Sequence, residues 1–273
     1  MKTLANQTLI YDEDCPLCHA YTVAFVKSGM LDADGRKAFC KLSDNELQFV
    51  DANKATNEIA LIDRENQTVT YGIDSLLKVL GNSFPWIEKI GNFKPVHFGL
   101  KKLYSFISYN RKVIVPGSEN NNQQLKCIPD FNFKYRFLYL FFAVLITAVI
   151  LYDYAKLIGF LPHGNFSREI FLAAGQLVFQ SAFLIRHDRR TILNYAGNLM
   201  TVSLMGALLL SPVIFLNTFF ILPAFLINSW FGIVVLIMFI EHWRRVKSLQ
   251  LPYYLCITWV IYRTIALFLI LNF

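Results

Sequence analysis

The chain lacks a second close pair of cysteines. Of its five cysteines, Cys15 and Cys18 are near neighbours, while Cys40, Cys127 and Cys256 are solitary. An odd count with a single pair does not make a disulfide-stapled scaffold, and it points to a reducing compartment. A zinc site wants four ligands, usually with a second close pair, and that second pair is missing. The chain also opens without the basic-then-apolar leader of an exported protein. Its absence weighs against Cys15-x-x-Cys18-His19 as an attachment point for c-type haem, which is made on exported domains. Acidic residues are scarce too, 19 against 26 Lys and Arg, for a formal net charge of +7. Gathered on one soluble surface, that surplus would suit nucleic acid. Here it falls largely in short clusters between apolar runs, the pattern of cytoplasmic loops in a membrane protein, so no nucleic-acid partner is expected.

What the chain does have is apolar residues, 55% of the total, very unevenly spread. Up to about residue 130 the composition is mixed and charged; from Tyr135 onward long runs rich in Phe, Leu and Ile follow one another. The two halves belong in different solvents. The expected organisation is a soluble domain over 1–116, a linker over 117–133 and a membrane domain over 134–273 embedded in the lipid bilayer. The linker holds the polar run Gly117-Ser118-Glu119-Asn120-Asn121-Asn122-Gln123-Gln124, which cannot bury a core.

Within the soluble part, Leu9-Ile10-Tyr11 predicts a strand, Pro16 to about Ser28 a helix, and Lys37 to Leu42 a strand that holds Cys40. Asp44 to about Ala52 predicts a short helix capped by Ser43. Ile59–Ile62 and Thr68–Tyr71 pair as a hairpin through Arg64-Glu65-Asn66-Gln67, and Ile73–Leu80 forms a helix ending at Gly81. An amphipathic helix from about Val96 to Tyr109 follows interruptions at Pro85 and Pro95. The order βαβαββα is the minimal thioredoxin-like order, an α+β class.

Asp12-Glu13-Asp14-Cys15-Pro16-Leu17-Cys18 then sets a dithiol where the first strand hands over to a helix. Cys15 takes the N-cap, and Pro16 the first helical position, where its missing N–H costs nothing. A thiolate at that end meets the positive pole of the helix dipole and unpaired backbone donors, which lower a cysteine pKa from about 8.5. The first sulfur is expected to be exposed and to attack; Cys18, one turn in, resolves. Asp12, Glu13 and Asp14 oppose thiolate formation by their charge.

Tyr11-Asp12-x-x-Cys15-Pro16-x-Cys18, Tyr71-Gly72-x-Asp74 before a helix, and Asn110-Arg111 after the last soluble helix together resemble the DCC family of thiol-disulfide oxidoreductases, named for an Asp-x-x-Cys-x-x-Cys motif. The resemblance covers roughly the first 116 residues. It implies Cys15 as nucleophile, Cys18 as resolving thiol and Asp12 as either proton acceptor or structural cap. It implies a thiol or disulfide substrate and no cofactor beyond the redox-active Cys15/Cys18 pair. Two positions depart from the pattern. Glu13 stands where family members commonly carry Gly, and Asn57 stands where thioredoxins place a cis-proline that opens a strand edge to extended peptides. Arg111 reads first as a surface charge, although its position beyond an amphipathic helix would also let it hold a carboxylate near the site; Cys40 reads as core, and Cys127 as an uninvolved linker thiol.

Beyond the linker, spans are expected near Arg136–Ile158, Ile170–Ile185, Ile192–Leu210, Phe219–Ile240 and Tyr253–Leu271, an all-α bundle of about five transmembrane helices. The second is short, and Pro212 and Pro223 blur the third-to-fourth connection. Positive clusters at Arg111, Lys112, Lys126, Lys134 and Arg136, at Arg186, Arg189 and Arg190, and at Arg244, Arg245 and Lys247 alternate with poorer loops. The positive-inside rule then places the N-terminal domain in the cytoplasm and the C-terminus outside, in a bacterial-type inner membrane. His163, His187 and His242 fall near span ends and read as loop or interface residues; Tyr152, Trp230, Trp243, Tyr253 and Tyr254 read first as interfacial or packing aromatics. Gln180, Asn198, Asn228 and Arg263 share a mid-bilayer depth and are expected to form a polar cluster in which Arg263 contacts at least one of the amides. The function that follows is a membrane-tethered, cytoplasm-facing thiol-disulfide oxidoreductase. Two alternatives stand beside it: a dithiol coupled to a membrane electron carrier such as quinone, and a non-enzymatic adaptor or transporter-like protein with a thioredoxin-like binding domain.

Overall fold

Period-2 alternation in two short strands builds the centre of the first domain. In the computed structural model, which describes residues 2–117, 129–162 and 164–272, Leu9 and Leu61 face one side of a sheet, while Ile10, Ala60 and Ile62 face the other. Met1, residues 118–128 of the linker with Cys127 among them, His163 and Phe273 lie outside the described residues. The strands are β1 (Gln7–Tyr11), β2 (Arg36–Ala38), β3 (Ala60–Asp63) and β4 (Thr68–Tyr71), ordered β2-β1-β3-β4. β1 and β2 are parallel, with Leu9 opposite Arg36; β3 runs antiparallel to both β1 and β4. This is the thioredoxin-like sheet.

Helix α1 (Pro16–Lys27) crosses one face between β1 and β2, and the same face carries α4 (Gly72–Ser83). Tyr21, Phe25, Val26, Leu76, Val79 and Leu80 pack there against Leu9 and Leu61. Phe39, Leu42, Val50 and Ala55 cover the opposite face. Phe39 belongs to a single 3-10 turn (Phe39–Lys41) and Leu42 follows it; Val50 lies between two short helices, α2 (Asp44–Leu47) and α3 (Ala52–Asn57), and Ala55 is on the second. The expected strand over Lys37–Leu42 therefore stops at Ala38, and Cys40 lies in the turn. The expected helix over Asp44–Ala52 breaks in two. Ser43 and Glu46 close a capping box on the first piece, and the Asp51 side chain caps the second by accepting the N–H of Lys54 at 3.1 Å.

Gly81 is a further departure, because α4 runs through it to Ser83. The glycine is there for space: a Cβ would stand 2.5 Å from Cβ of Glu88 on the following helix, α5 (Pro85–Gly91). Pro85 starts α5, and Pro95 sits in the first turn of α6 (Lys94–Ile114), where both prolines are tolerated. α6 runs five residues beyond its expected end at Tyr109, and those residues carry Arg111.

The chain divides into compact units at Met1–Tyr135 and Arg136–Phe273. The second part is built on five helices: α7 (Phe133–Ala155), α8 (Phe166–Ala182), α9 (Arg189–Phe219), α10 (Ala224–Ser248) and α11 (Tyr254–Asn272). Among the described residues four of these, all but α8, are long and apolar enough to cross a membrane. α8 has 17 residues, which at about 1.5 Å each falls short of a hydrocarbon core of about 30 Å. The third helix is longer than expected. α9 continues through Pro212 to Phe219, so Phe219 ends one helix instead of beginning the next. Proline at 212 deprives the carbonyl of Leu208 of its helical donor, and the Ser211 hydroxyl donates to that carbonyl at 2.8 Å. α10 then starts after Pro223.

Candidate active site

At the end of β1, Asp12 folds the loop that presents the dithiol. Its backbone carbonyl accepts the N–H of Cys15 at 3.2 Å and its Oδ1 accepts the N–H of Asp14 at 3.1 Å. That Asx turn leaves Cys15 at the N-cap of α1, with Pro16 opening the helix and Sγ of Cys15 accepting the N–H of Cys18 at 3.4 Å. The hydrogen bond from the Cys18 thiol, assisted by the Cys18 N–H and the Arg111 guanidinium, brings the Cys15 thiol down to about 7 against the opposing effects of burial and Asp12. The same contact pushes Cys18 strongly up, and burial adds to it. One sulfur is thus a thiolate near neutrality while the other holds a proton. Cys15 is not exposed as expected: it is 3% accessible and Cys18 is 8%. A sulfur that caps its own helix turns back onto the backbone, away from solvent.

Arg111 corrects the surface reading. It is 5% exposed, and its Nη2 lies 3.0 Å from Oδ2 of Asp12, whose own exposure is 4%. The guanidinium also donates to the carbonyls of Thr56 (2.9 Å) and Asn57 (3.3 Å) and to Oγ of Ser108 (3.1 Å). Ser108, one helical turn earlier on α6, itself donates to the Asn57 carbonyl. Burial raises the Asp12 carboxyl above its ordinary range while Arg111 and Lys112 pull it down. Asn57 ends α3, its backbone tied to Arg111 and its side chain to Asp130, with Oδ1 accepting the Asp130 N–H at 2.7 Å. Every described peptide bond is trans, so this position does not supply the cis-proline platform of thioredoxins.

Other motif residues have structural duties. Gly72 takes a left-handed φ of +64° where β4 turns into α4, and a Cβ there would meet the Glu58 carboxylate at 2.6 Å. Asp74 pairs with His97 at 2.6 Å, and Asn110, fully buried, ties α6 to the Tyr135 carbonyl at 3.1 Å. Glu13, the departure from the usual glycine, accepts from Lys41 Nζ at 2.6 Å and from the half-buried Cys40 Sγ at 3.1 Å. Burial, then Glu13, pushes the Cys40 thiol up to about 11.

Beside the dithiol lies a pocket of about 210 Å³ into which Asp12, Cys18 and Arg111 all face. Its walls are otherwise mainly apolar, including Leu17, Leu76 and Ile107. Nothing in the sequence pattern announced it, because its lining comes from β1, α1, the Ala55–Ile59 segment, α4 and α6.

In the bundle the expected cluster does not form. Arg263 makes no hydrogen bond to Gln180, Asn198 or Asn228; its guanidinium sits 5.0 Å from the Trp259 ring centroid, and Asn228 is exposed. The cation that joins Asn198 is Arg245, whose Nη1 donates to Asn198 Oδ1 at 2.9 Å. Gln180 Oε1 instead accepts from Tyr195 and Thr258, both at 3.0 Å. Equal depth places residues at one level without choosing their helix faces, and that is where the expectation failed. His242 is likewise no interface residue. It is 1% exposed, stacked on Trp259 and 3.2 Å from the Tyr195 hydroxyl.

Residues 9–115 match a family model described as DCC1-like thiol-disulfide oxidoreductase, and the four apolar helices follow that match. No curated protein and no solved structure matches the chain.

Proposed function

We propose that the protein is a membrane-tethered thiol-disulfide oxidoreductase working through Cys15 and Cys18. The observation that carries this reading is the helix-capping Cys15 sulfur, held near pKa 7 beside a protonated Cys18 and a buried Asp12–Arg111 pair. In the reducing direction, the Cys15 thiolate attacks one sulfur of a substrate disulfide. A Cys15 mixed disulfide forms, and the departing sulfur leaves as a thiolate that takes up a proton. Cys18 then loses its proton and attacks Sγ of Cys15, closing the Cys15–Cys18 disulfide and releasing the second substrate thiol. Asp12 faces the same pocket as Cys18 and is raised by burial, which suits it to take that proton. An external dithiol must return the two electrons for the next turnover.

The apolar pocket beside Cys18 favours a disulfide carried on an apolar group. The basic clusters flanking α7, α9 and α10 favour a cytoplasmic N-terminal domain in a bacterial inner membrane, where thiols stay reduced. The test is Cys18→Ser in the full chain in detergent: it should trap a mixed disulfide through Cys15 with a model disulfide, while Cys15→Ser should trap none. Absence of a trapped species with any disulfide, or trapping through Cys18, overturns the assigned roles.

A further inference from the structure

The helices of the second unit line another cavity, of about 130 Å³, bounded by residues from α7, α8, α9, α10 and α11. That is far more than the roughly 10–15 Å³ that one water requires. Its chemistry is lopsided. Arg263 lines it and, among the described residues, has neither a carboxylate partner nor a hydrogen-bond acceptor for its buried Nε. The carboxylate in the wall is Glu169, and Arg168 already holds it through contacts of 2.8 and 3.0 Å. Those two charges cancel and leave the cavity with the net positive charge of Arg263.

Two further donors face the same space unsatisfied. Among the described residues Gln176, 2% exposed, has no partner for Nε2, and Thr147, 3% exposed, has none for its hydroxyl. Away from these groups the wall is apolar, with Leu210, Phe231 and Val234 among its residues. A guanidinium within a membrane bundle is costly unless acceptors compensate it, and the Nε of this one has none among the described residues. The missing component is an acceptor with negative charge that carries an apolar body. A neutral carbonyl compound would satisfy the donors and leave the charge uncompensated.

We propose that this cavity binds a single-chain anionic amphiphile, of which a fatty-acid carboxylate is the simplest, with its head on Arg263, Gln176 and Thr147 and its chain along Leu210, Phe231 and Val234. The proposal stands apart from the dithiol reading, since none of its residues belongs to the N-terminal domain.

The test measures binding of palmitate and hexadecanol, equal in chain length and different in head charge, to delipidated full-length protein in neutral detergent by native mass spectrometry. The expected result is one palmitate per chain, at least about tenfold tighter than hexadecanol, as a charge-assisted contact of ordinary strength gives. Arg263→Gln should abolish that preference and Arg263→Lys should keep most of it. Leu210→Trp, which fills the chain-binding wall and leaves the head contacts intact, should weaken both ligands together; it carries the test if the Arg263 variants fail to fold. Hexadecyl phosphate separates the source of the anion, and binding as tight as palmitate keeps the proposal with a phosphate head. Equal binding of palmitate and hexadecanol to the parent, an unchanged preference in Arg263→Gln, or displacement of palmitate by an equimolar short-chain quinone would each overturn it.

Discussion

Replacing Arg111 with Met tests the active-site reading where it is most exposed to failure. The guanidinium reaches Asp12, Thr56, Asn57 and Ser108, all within 3.3 Å or less, and it is 5% accessible. Methionine keeps most of the side-chain volume and removes the charge and the donors. Asp12, at 4% exposure, is then left as a buried carboxylate without its counter-ion. Breaking one side of a buried pair costs about 3–5 kcal/mol, or roughly two to three and a half powers of ten in the unfolding equilibrium.

The cost should depend on pH. Burial already raises Asp12, and losing Arg111 removes the main opposing influence, so its folded-state pKa climbs further. A group raised on folding gives its full stabilisation below its unfolded pKa, about 3.9, and loses it as pH rises through the folded value. The gap between Arg111→Met and the parent should therefore be widest at neutral pH and narrow toward pH 5. Asp12→Asn together with Arg111→Met should recover part of the loss, because the orphaned charge is gone. Pulse proteolysis of the full chain in detergent across a urea series, following cleavage within residues 2–117, gives these stabilities. Iodoacetamide rates against pH give a second reading: Arg111 lowers Cys15, so the thiolate midpoint near 7 should move up in the variant. An unchanged urea midpoint, or a double variant no more stable than Arg111→Met alone, would refute the buried pair.

Glu13→Gln removes a negative charge from beside Cys40, whose thiol stands near 11, so Cys40 should alkylate faster at pH 8; an equal or slower rate would show that burial alone holds it there. Gly81→Val drives a side chain into Cβ of Glu88, a backbone-proximal atom that cannot swing away, and should cost about 1–3 kcal/mol in the same proteolysis assay; a neutral result would mean that α5 yields freely. Reporters active only in the cytoplasm should work when fused at the N-terminus and fail when fused after Phe273. That outcome requires α8 to cross, with its 17 residues met by local thinning at a cost of fractions of a kcal/mol per Å, and equal signals at both ends would remove it from the spans.

What was legible in the soluble domain was legible locally. Cys15 at the N-cap and Pro16 after it follow from the chemistry of one helix start, and the Thr68–Tyr71 strand and its partner follow from alternation around a polar turn. The errors came where a neighbour on another element decided. Gly81 looked like a helix stop, and only the position of Glu88 shows that it is a clearance. Arg111 looked first like a surface charge, although its place beyond an amphipathic helix also allowed it to hold a carboxylate. A signal was nevertheless present: Asp12 directly follows a buried strand, and a carboxylate forced inside there needs a cation from somewhere in the chain. Ser108, one turn before Arg111 on the same helix face, reaches the same backbone and marks that face as inward.

In the membrane helices the sequence gives depth far better than direction. Apolar length found the helices, and the hydropathy of α9 gave no hint that Ser211 would carry the chain through Pro212. Counting residues put Arg263 level with three amides. A helix turns by about 100° per residue, however, so a one-residue error in where it rests against its neighbours moves a side chain to another face. Arg245 shows the resulting asymmetry. Four residues after Glu241 on one helix, it pairs with that carboxylate at 2.7 Å, a match that spacing alone predicts. Its bond to Asn198 on α9 depends on how two helices lean together, and no spacing within either helix contains that angle. The polar residues of such a bundle can therefore be listed from sequence, whereas their partners must be read from the packed structure.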